Sequence, residues 1–283
     1  MATRFISKAL VAIQANHWRM TLNIIVCYKL SPDAEDLRIL PDRSLSFAEA
    51  EWRIGQYDLN AVEAGVSLAE ATGGTVTALS VGPKELENSK ARKAILSRGP
   101  HDLYQVVDDR LRDADTHTTA QVLAVAIRKL SANGYSFHLI LCGEGSADLY
   151  AQQVGAQLGQ LLGLPTLNAV AKIEPSGDHL IVERALEDEI EILEVPLPAA
   201  LSVTTDINLP RIPGMRDILA AGKKPVTQWS LDDLGLSGGI RPGVEILDTR
   251  APLQVNRKRQ IWEGESEDMI NKLVAELRKE GIP

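Results

Sequence analysis

Aromatic side chains are scarce in this chain of 283 residues, which holds Trp 4, Tyr 5 and Phe 3. So few cannot furnish a base-stacking surface or the interior of a β-sandwich, and they leave the core to Ala, Leu, Val and Ile, as in α/β proteins. Cysteine is scarcer still. Cys27 and Cys142 lie in apolar runs far apart, which excludes a disulfide framework and a multi-cysteine metal cluster and fits a reducing compartment, the cytoplasm. An excess of positive charge is also missing. The 30 Lys+Arg against 38 Asp+Glu leave −8, so no general grip on a nucleic-acid backbone is expected. No apolar run approaches the roughly 18–20 residues of a membrane span. His17, His101, His117, His138 and His179 show no metal-ligand spacing, and neither a Walker lysine motif nor a nucleophile-elbow serine occurs.

What is present is an ordinary globular composition, 45% hydrophobic and 24% charged, patterned as an α/β chain. The first 20 residues carry Arg4, Lys8 and Arg19, and the first acid is Asp33; residues 1–21 read as an extension ahead of the folded pattern, which starts near Leu22. From there β-branched runs at Asn23–Tyr28, Thr75–Val81, Leu103–Val107 and Phe137–Cys142 alternate with helical periods: Leu59, Val62, Val66 and Ala69; Val122, Ala126 and Ile127; and Gln152 to Leu162. Right-handed crossovers order such strands 3-2-1-4, and ligands bind beyond their carboxyl ends where the order reverses. That places a site at Cys27–Asp33 and Gly143–Gly155.

After Pro165, close-set runs at Ala169–Ile173, His179–Arg184, Glu189–Val195 and Ala200–Thr204 read as hairpins or an antiparallel extension of the sheet. Asn208 to Pro213 is a proline-punctuated loop. Residues 223–265 show little periodicity, and Gly235, Gly238, Gly239, Pro242 and Gly243 mark an extended arm; Met269, Ile270, Leu273, Val274 and Leu277 then form a helical stripe with no core of its own. The expected division is therefore an extension at 1–21, a nucleotide-binding domain at 22–222, and at 223–283 an arm that clasps a second chain.

Gly143-Glu144-Gly145-Ser146-Ala147-Asp148, running into Gln152-Gln153-Val154-Gly155, joins a strand end to a helix start. Glycines admit a ligand close to the backbone and first-turn amides accept a phosphate, although a tight turn with a helix cap has the same look. Asp58 to Glu63 opens the first helix, as a cap or as part of the site. The cysteines read as core packing ahead of redox chemistry, and Lys223-Lys224 and Arg257-Lys258-Arg259 as solvated faces. A nucleotide fold without nucleophile, metal site or acid–base pair makes better sense as a carrier subunit than as an enzyme.

Several stretches together resemble the beta subunit of electron transfer flavoproteins: Lys29-Leu30-Ser31-Pro32-Asp33, Asp58-x-Asn60-Ala61-x-Glu63, Ala78-Leu79-Ser80-Val81-Gly82, and the Gly143 to Gly155 series. Val182-Glu183-Arg184-x-Leu186-Glu187-Asp188, Leu197-Pro198-Ala199, and Asp206-Ile207-Asn208-x-Pro210-Arg211 leading to Lys223-Lys224-Pro225 continue the series. Ser97-Arg98-Gly99-Pro100 and Asp148 to Gln152 look most like the branch with carnitine-pathway and nitrogen-fixation subunits. The chain departs from the family pattern at Ala185 and at Ala200-Leu201-Ser202.

The resemblance implies a Rossmann-like fold and a heterodimer with an alpha subunit that carries redox-active FAD. It further implies AMP, or a second FAD, in this chain's own site, and electron exchange with a flavin dehydrogenase or reductase. Carried over by motif, the nucleotide neighbourhood is Cys27, Gly55, Gln56, Tyr57, Asp58, Val81, Asp148, Gln152, Gln153, Val154 and Gly155. Ile207 is then the anchor toward the dehydrogenase, and Met269, Ile270, Leu273 and Leu277 face the alpha subunit. A free-standing universal-stress-like module shares the four-unit sheet, but it has no use for the segments after Pro165.

Overall fold

The computed structural model describes residues 20–238, 240, 242–253, 259–264 and 266–282. Nearly all of the expected 1–21 extension, Gly239, Arg257 and Lys258 lie outside these residues. The main sheet is built from β1 (Ile24–Cys27), β2 (Val76–Gly82), β3 (Asp102–Val107), β4 (Leu139–Gly143), β5 (Thr166–Ser176), β6 (His179–Ala185), β7 (Ile190–Pro196), β8 (Ala199–Val203) and β9 (Val226–Trp229). In space their order is β7-β6-β5-β8-β4-β1-β2-β3-β9. The helices are α1 (Gln56–Thr72), α2 (Ser89–Leu96), α3 (Thr116–Ala132), α4 (Val154–Leu162), α5 (Met215–Ala221) and α6 (Ser266–Lys279).

The expected 3-2-1-4 order of the first four strands is what forms. β1 pairs in parallel with β2 on one side and β4 on the other. Alternation along β1 divides the core between two layers: Ile24 and Val26 pack with Ala61, Val62 and Val66 of α1, whereas Ile25 and Cys27 pack with Val122, Ala126 and Ile127 of α3 and Leu158 of α4. Each such side chain contributes about 1.5–3 kcal/mol on burial. Gly73 in the left-handed region at φ 73 stops α1, and Asp115 caps α3 by accepting the Thr118 N–H at 2.7 Å.

Beyond Pro165 the expectation is met only in part. β5, β6 and β7 form the antiparallel extension, but β8 inserts in parallel between β4 and β5. All five residues of β8 are buried, and a strand covered on both faces belongs in the parallel interior of a sheet. Within the poorly periodic 223–265 stretch, β9 extends the sheet beside β3. The Trp229 ring lies 5.1 Å from that of Tyr104, and Leu231 and Leu234 enter the core. As an edge strand of alternating exposed and half-buried residues, β9 carries no apolar signature. Two short antiparallel pairs between β1 and α1, Leu30–Pro32 with Trp52–Ile54 and Arg38–Ile39 with Leu45–Ser46, make a small lobe over the carboxyl edge.

Candidate functional site

A cleft opens where β1, β2 and β4 end, with Cys27, Val81 and Cys142 on its floor. The lobe contributes Leu30, Pro32 and Trp52 to one wall; Ala114, Thr116 and Thr119 at the start of α3 form another; and the loop from Gly143 to Val154 closes it. It therefore occupies the point of strand-order reversal.

Asp58, in the first turn of α1, is buried and accepts the Lys29 N–H at 2.8 Å. Burial pushes its carboxyl up to about 7, against hydrogen bonds from the Lys29 and Gly143 amides and the Lys29 charge. The Lys29 ammonium reaches across to Asp148 at 2.6 Å. Burial raises the Asp148 carboxyl, but the Lys29 charge and hydrogen bond outweigh it and leave the group below its ordinary value. The Cys27 thiol on the floor stays protonated: its hydrogen bond with Cys142, then burial, pushes it well above its usual range.

The loop from Gly143 to α4 is held in an unusual shape. Tyr150 and Gln152 both adopt left-handed φ, 46° and 56°, a conformation costly for residues with a Cβ and one that the surroundings must enforce. Tyr150 donates its hydroxyl to Glu144 at 2.7 Å and lays its ring 5.1 Å from that of Tyr57. A Cβ on Gly145 would stand 2.3 Å from the Tyr150 ring, so glycine there is a packing requirement. The loop delivers the start of α4 to the cleft with no side-chain cap. The first intrahelical bond runs from the Gln157 N–H to the Gln153 carbonyl, so the N–H groups of Val154, Gly155 and Ala156 precede the ladder, as at any helix start. Gln153 is steadied by the Thr116 hydroxyl at 2.7 Å.

Of the ionisable lining groups, Asp58, Glu85, Glu144 and Asp148 are acids and Lys29 and Arg112 are bases. Lys29 is engaged by Asp148, and Arg112 by Glu85 and Asp109. An anionic ligand here cannot lean on a free side-chain cation from the lining; the helix-start amides are the donors suited to it.

Of the residues expected at the site, Cys27, Asp58, Val81, Asp148, Gln152, Gln153 and Val154 line this one cleft. Gly55, Gln56, Tyr57 and Gly155 stand behind the lining. Gly55 is the N-cap of α1 against Ala147, Gln56 donates to Asn60, Tyr57 packs on Tyr150, and Gly155 lies against Ser202 of β8. Sequence reasoning included Lys29 only as part of the Cys27–Asp33 span and assigned no site role to Trp52, Glu85 or Arg112. A lysine directly after the first strand is a usable signal; the others arrive through the lobe and the loops after β2 and β3, which have no periodicity.

A second surface lies between β8 and α5. Ile207 is half-buried against the core below α1, whereas Leu209 and Ile212 are 90% and 93% exposed, followed by exposed Met215 and Leu219 of α5. In α6, no residue is buried. The family model of the electron transfer flavoprotein domain matches residues 44–234, more than half of the chain. The fold, with its cleft at the strand-order reversal, and this match agree: the chain belongs to the electron transfer flavoprotein family, whose members are flavin-associated electron carriers.

Proposed function

We propose that the chain is the beta subunit of a heterodimeric electron transfer flavoprotein and that its cleft holds an adenine nucleotide, AMP or a second FAD. The observation that carries this reading is the uncapped start of α4 at the strand-order reversal: Val154, Gly155 and Ala156 would donate to the phosphate, Cys27 and Val81 would bound the nucleotide from the floor, and Asp58, Gln152 and Gln153 would orient it. Near-neutral Asp58 suits a phosphate better than a fixed carboxylate would. The FAD of the alpha subunit would supply the redox chemistry; this chain would contribute binding and orientation.

On this reading residues 22–222 carry the nucleotide domain and 223–283 the arm toward the alpha subunit, with β9 at its base also completing the sheet. Met269, Ile270, Leu273 and Leu277 of the amphipathic α6 would bury against that subunit. The loop from Ile207 to Ile212 would face a flavin dehydrogenase or reductase, with its exposed Leu209 and Ile212 as the contacts and Ile207 as the support beneath them. Co-expression with an alpha subunit, purification of the pair and denaturing extraction tests the proposal. One FAD with one AMP, or two FAD, supports it; a pair without adenine nucleotide beyond the single FAD, or no pair at all, refutes it.

A further inference from the structure

The chain has two cysteines, far apart in sequence, and the fold brings them together. β1 and β4 are parallel neighbours whose register sets Ile24 opposite Leu139, Ile25 opposite Ile140 and Val26 opposite Leu141. One step further, the same register sets Cys27 opposite Cys142. Both side chains belong to the core layer of α3 and α4, so they leave the sheet on the same face. They share a hydrogen bond, and both line the floor of the cleft with 5% of their surface exposed.

Adjacent strands lie about 4.8 Å apart, within the Cα separations of roughly 4.4–6.8 Å that a disulfide spans. Packing alone does not call for sulfur here, because Ile25 and Ile140, two residues earlier on the same strands, fill the same layer with hydrocarbon. Two facing thiols add something that hydrocarbon lacks, the capacity to give up two electrons and close a bond. Their place on the cleft floor makes them reachable by a small molecule that enters the cleft.

We propose that Cys27 and Cys142 are a dithiol that a hydroperoxide oxidises to a disulfide, and that an adenine nucleotide in the cleft covers the pair and shields it. The shielding, unlike the bond, rests on the reading that the cleft holds such a nucleotide. Because Cys27 is held protonated, the first attack falls to Cys142. Its sulfur takes one peroxide oxygen, the O–O bond breaks, and the other oxygen leaves as water with the thiol proton, giving a sulfenic acid. The Cys27 sulfur then attacks the Cys142 sulfur, the S–O bond breaks, and a second water leaves with the Cys27 proton. The two sulfurs have lost two electrons, and the peroxide has gained them.

The experiment exposes the purified full chain to hydrogen peroxide with and without saturating AMP, then unfolds it, alkylates it with N-ethylmaleimide and measures its mass. Without AMP, peroxide should abolish alkylation of both cysteines, dithiothreitol should restore it, and the chain should stay a single copy on a non-reducing gel. In Cys27→Ser, peroxide should leave a sulfenic acid on Cys142 that dimedone traps; Cys142→Ser should give no dimedone adduct. AMP should slow the loss of alkylation in wild type about tenfold. Two alkylated cysteines after peroxide, a loss that dithiothreitol does not reverse, or a disulfide between two copies overturns the dithiol. An equal rate with AMP overturns the shielding alone, and nucleotide extraction from the purified pair then decides separately whether the nucleotide reading stands.

Discussion

Asn60 and Asn208, 148 positions apart in sequence, exchange hydrogen bonds. The Asn60 carboxamide donates to the Asn208 carbonyl at 2.7 Å and to its side-chain oxygen at 3.1 Å, and the Asn208 carboxamide donates back to the Asn60 carbonyl at 3.0 Å. Because Asn60 is fully buried in α1, the loop after β8 is fastened to the same helix whose first turn presents Asp58 to the cleft. Replacing Asn60 with Ala leaves the Asn208 and Thr205 carbonyls without this donor. Denaturant unfolding should show a loss of about 1–3 kcal/mol; an unchanged midpoint would mean that water replaces the carboxamide at no cost.

Arg211 fastens the far end of the loop. Its side chain reaches Glu63 at 2.7 Å and Glu70 at 2.8 Å, two turns apart on α1. Both partners are partly solvated, so stability should change by about 1 kcal/mol or less in Arg211→Lys. The loop's shape depends on the planar fork, which an ammonium does not reproduce. The KM for a partner dehydrogenase should therefore rise several-fold with kcat held. Equal kinetics in the lysine variant would show that charge alone suffices.

Within the loop, Ile207 and its exposed neighbours should respond in opposite ways. Ile207→Ala removes a half-buried side chain from the core surface and should lower the unfolding midpoint. Leu209→Ala and Ile212→Ala should leave stability within about 0.5 kcal/mol and reduce partner-dependent flavin reduction. Normal reduction kinetics in both exposed-residue variants would remove the loop from the docking surface.

Asp58 gives the fold a pH dependence of definite sign. Its native carboxyl titrates near 7, whereas an unfolded aspartate titrates at about 3.9. Between those values the native state holds a proton that the unfolded state has lost. Its contribution to stability is full below pH 4, declines as the pH rises toward 7, and is gone above that. Asp58→Asn should flatten this part of the profile. Melting temperatures of both proteins at pH 5 and pH 8 decide it; equal declines in wild type and variant would assign the slope to other groups.

A Cβ on Gly155 would stand 2.0 Å from the Ser202 hydroxyl oxygen, but 3.4 Å from the Ser202 Cβ. Gly155→Ala alone should therefore cost about 1–3 kcal/mol from overpacking. Adding Ser202→Ala should recover most of it, because the clashing atom is gone. Failure of the double variant to recover would place the cost in the backbone of α4 rather than at this contact.

These residues also mark what sequence reasoning reaches. The order of the first four strands and the location of the cleft follow from β-branched runs separated by helical periods, because right-handed crossovers leave little freedom. The helix-start amides of α4 were legible from Gly143 to Gly155 for the same reason. The Lys29–Asp148 pair, the Asn60–Asn208 exchange and the Asp115 contacts with the arm join residues more than 100 positions apart, and no local period announces such partners. Ile207 illustrates the difference: an apolar residue in a proline-rich loop looks like an exposed anchor until α1 is seen beneath it, while Leu209 and Ile212 carry the exposure.

If the start of α4 holds the phosphate of an adenine nucleotide, amide chemical shifts report on it directly. Addition of AMP to the isotopically labelled chain should produce its largest shifts at the amides of Val154, Gly155 and Ala156, and adenosine, lacking the phosphate, should leave these three nearly unmoved. Undisturbed amides at α4 under saturating AMP, or equal shifts with adenosine, would show that the phosphate is held elsewhere or not at all.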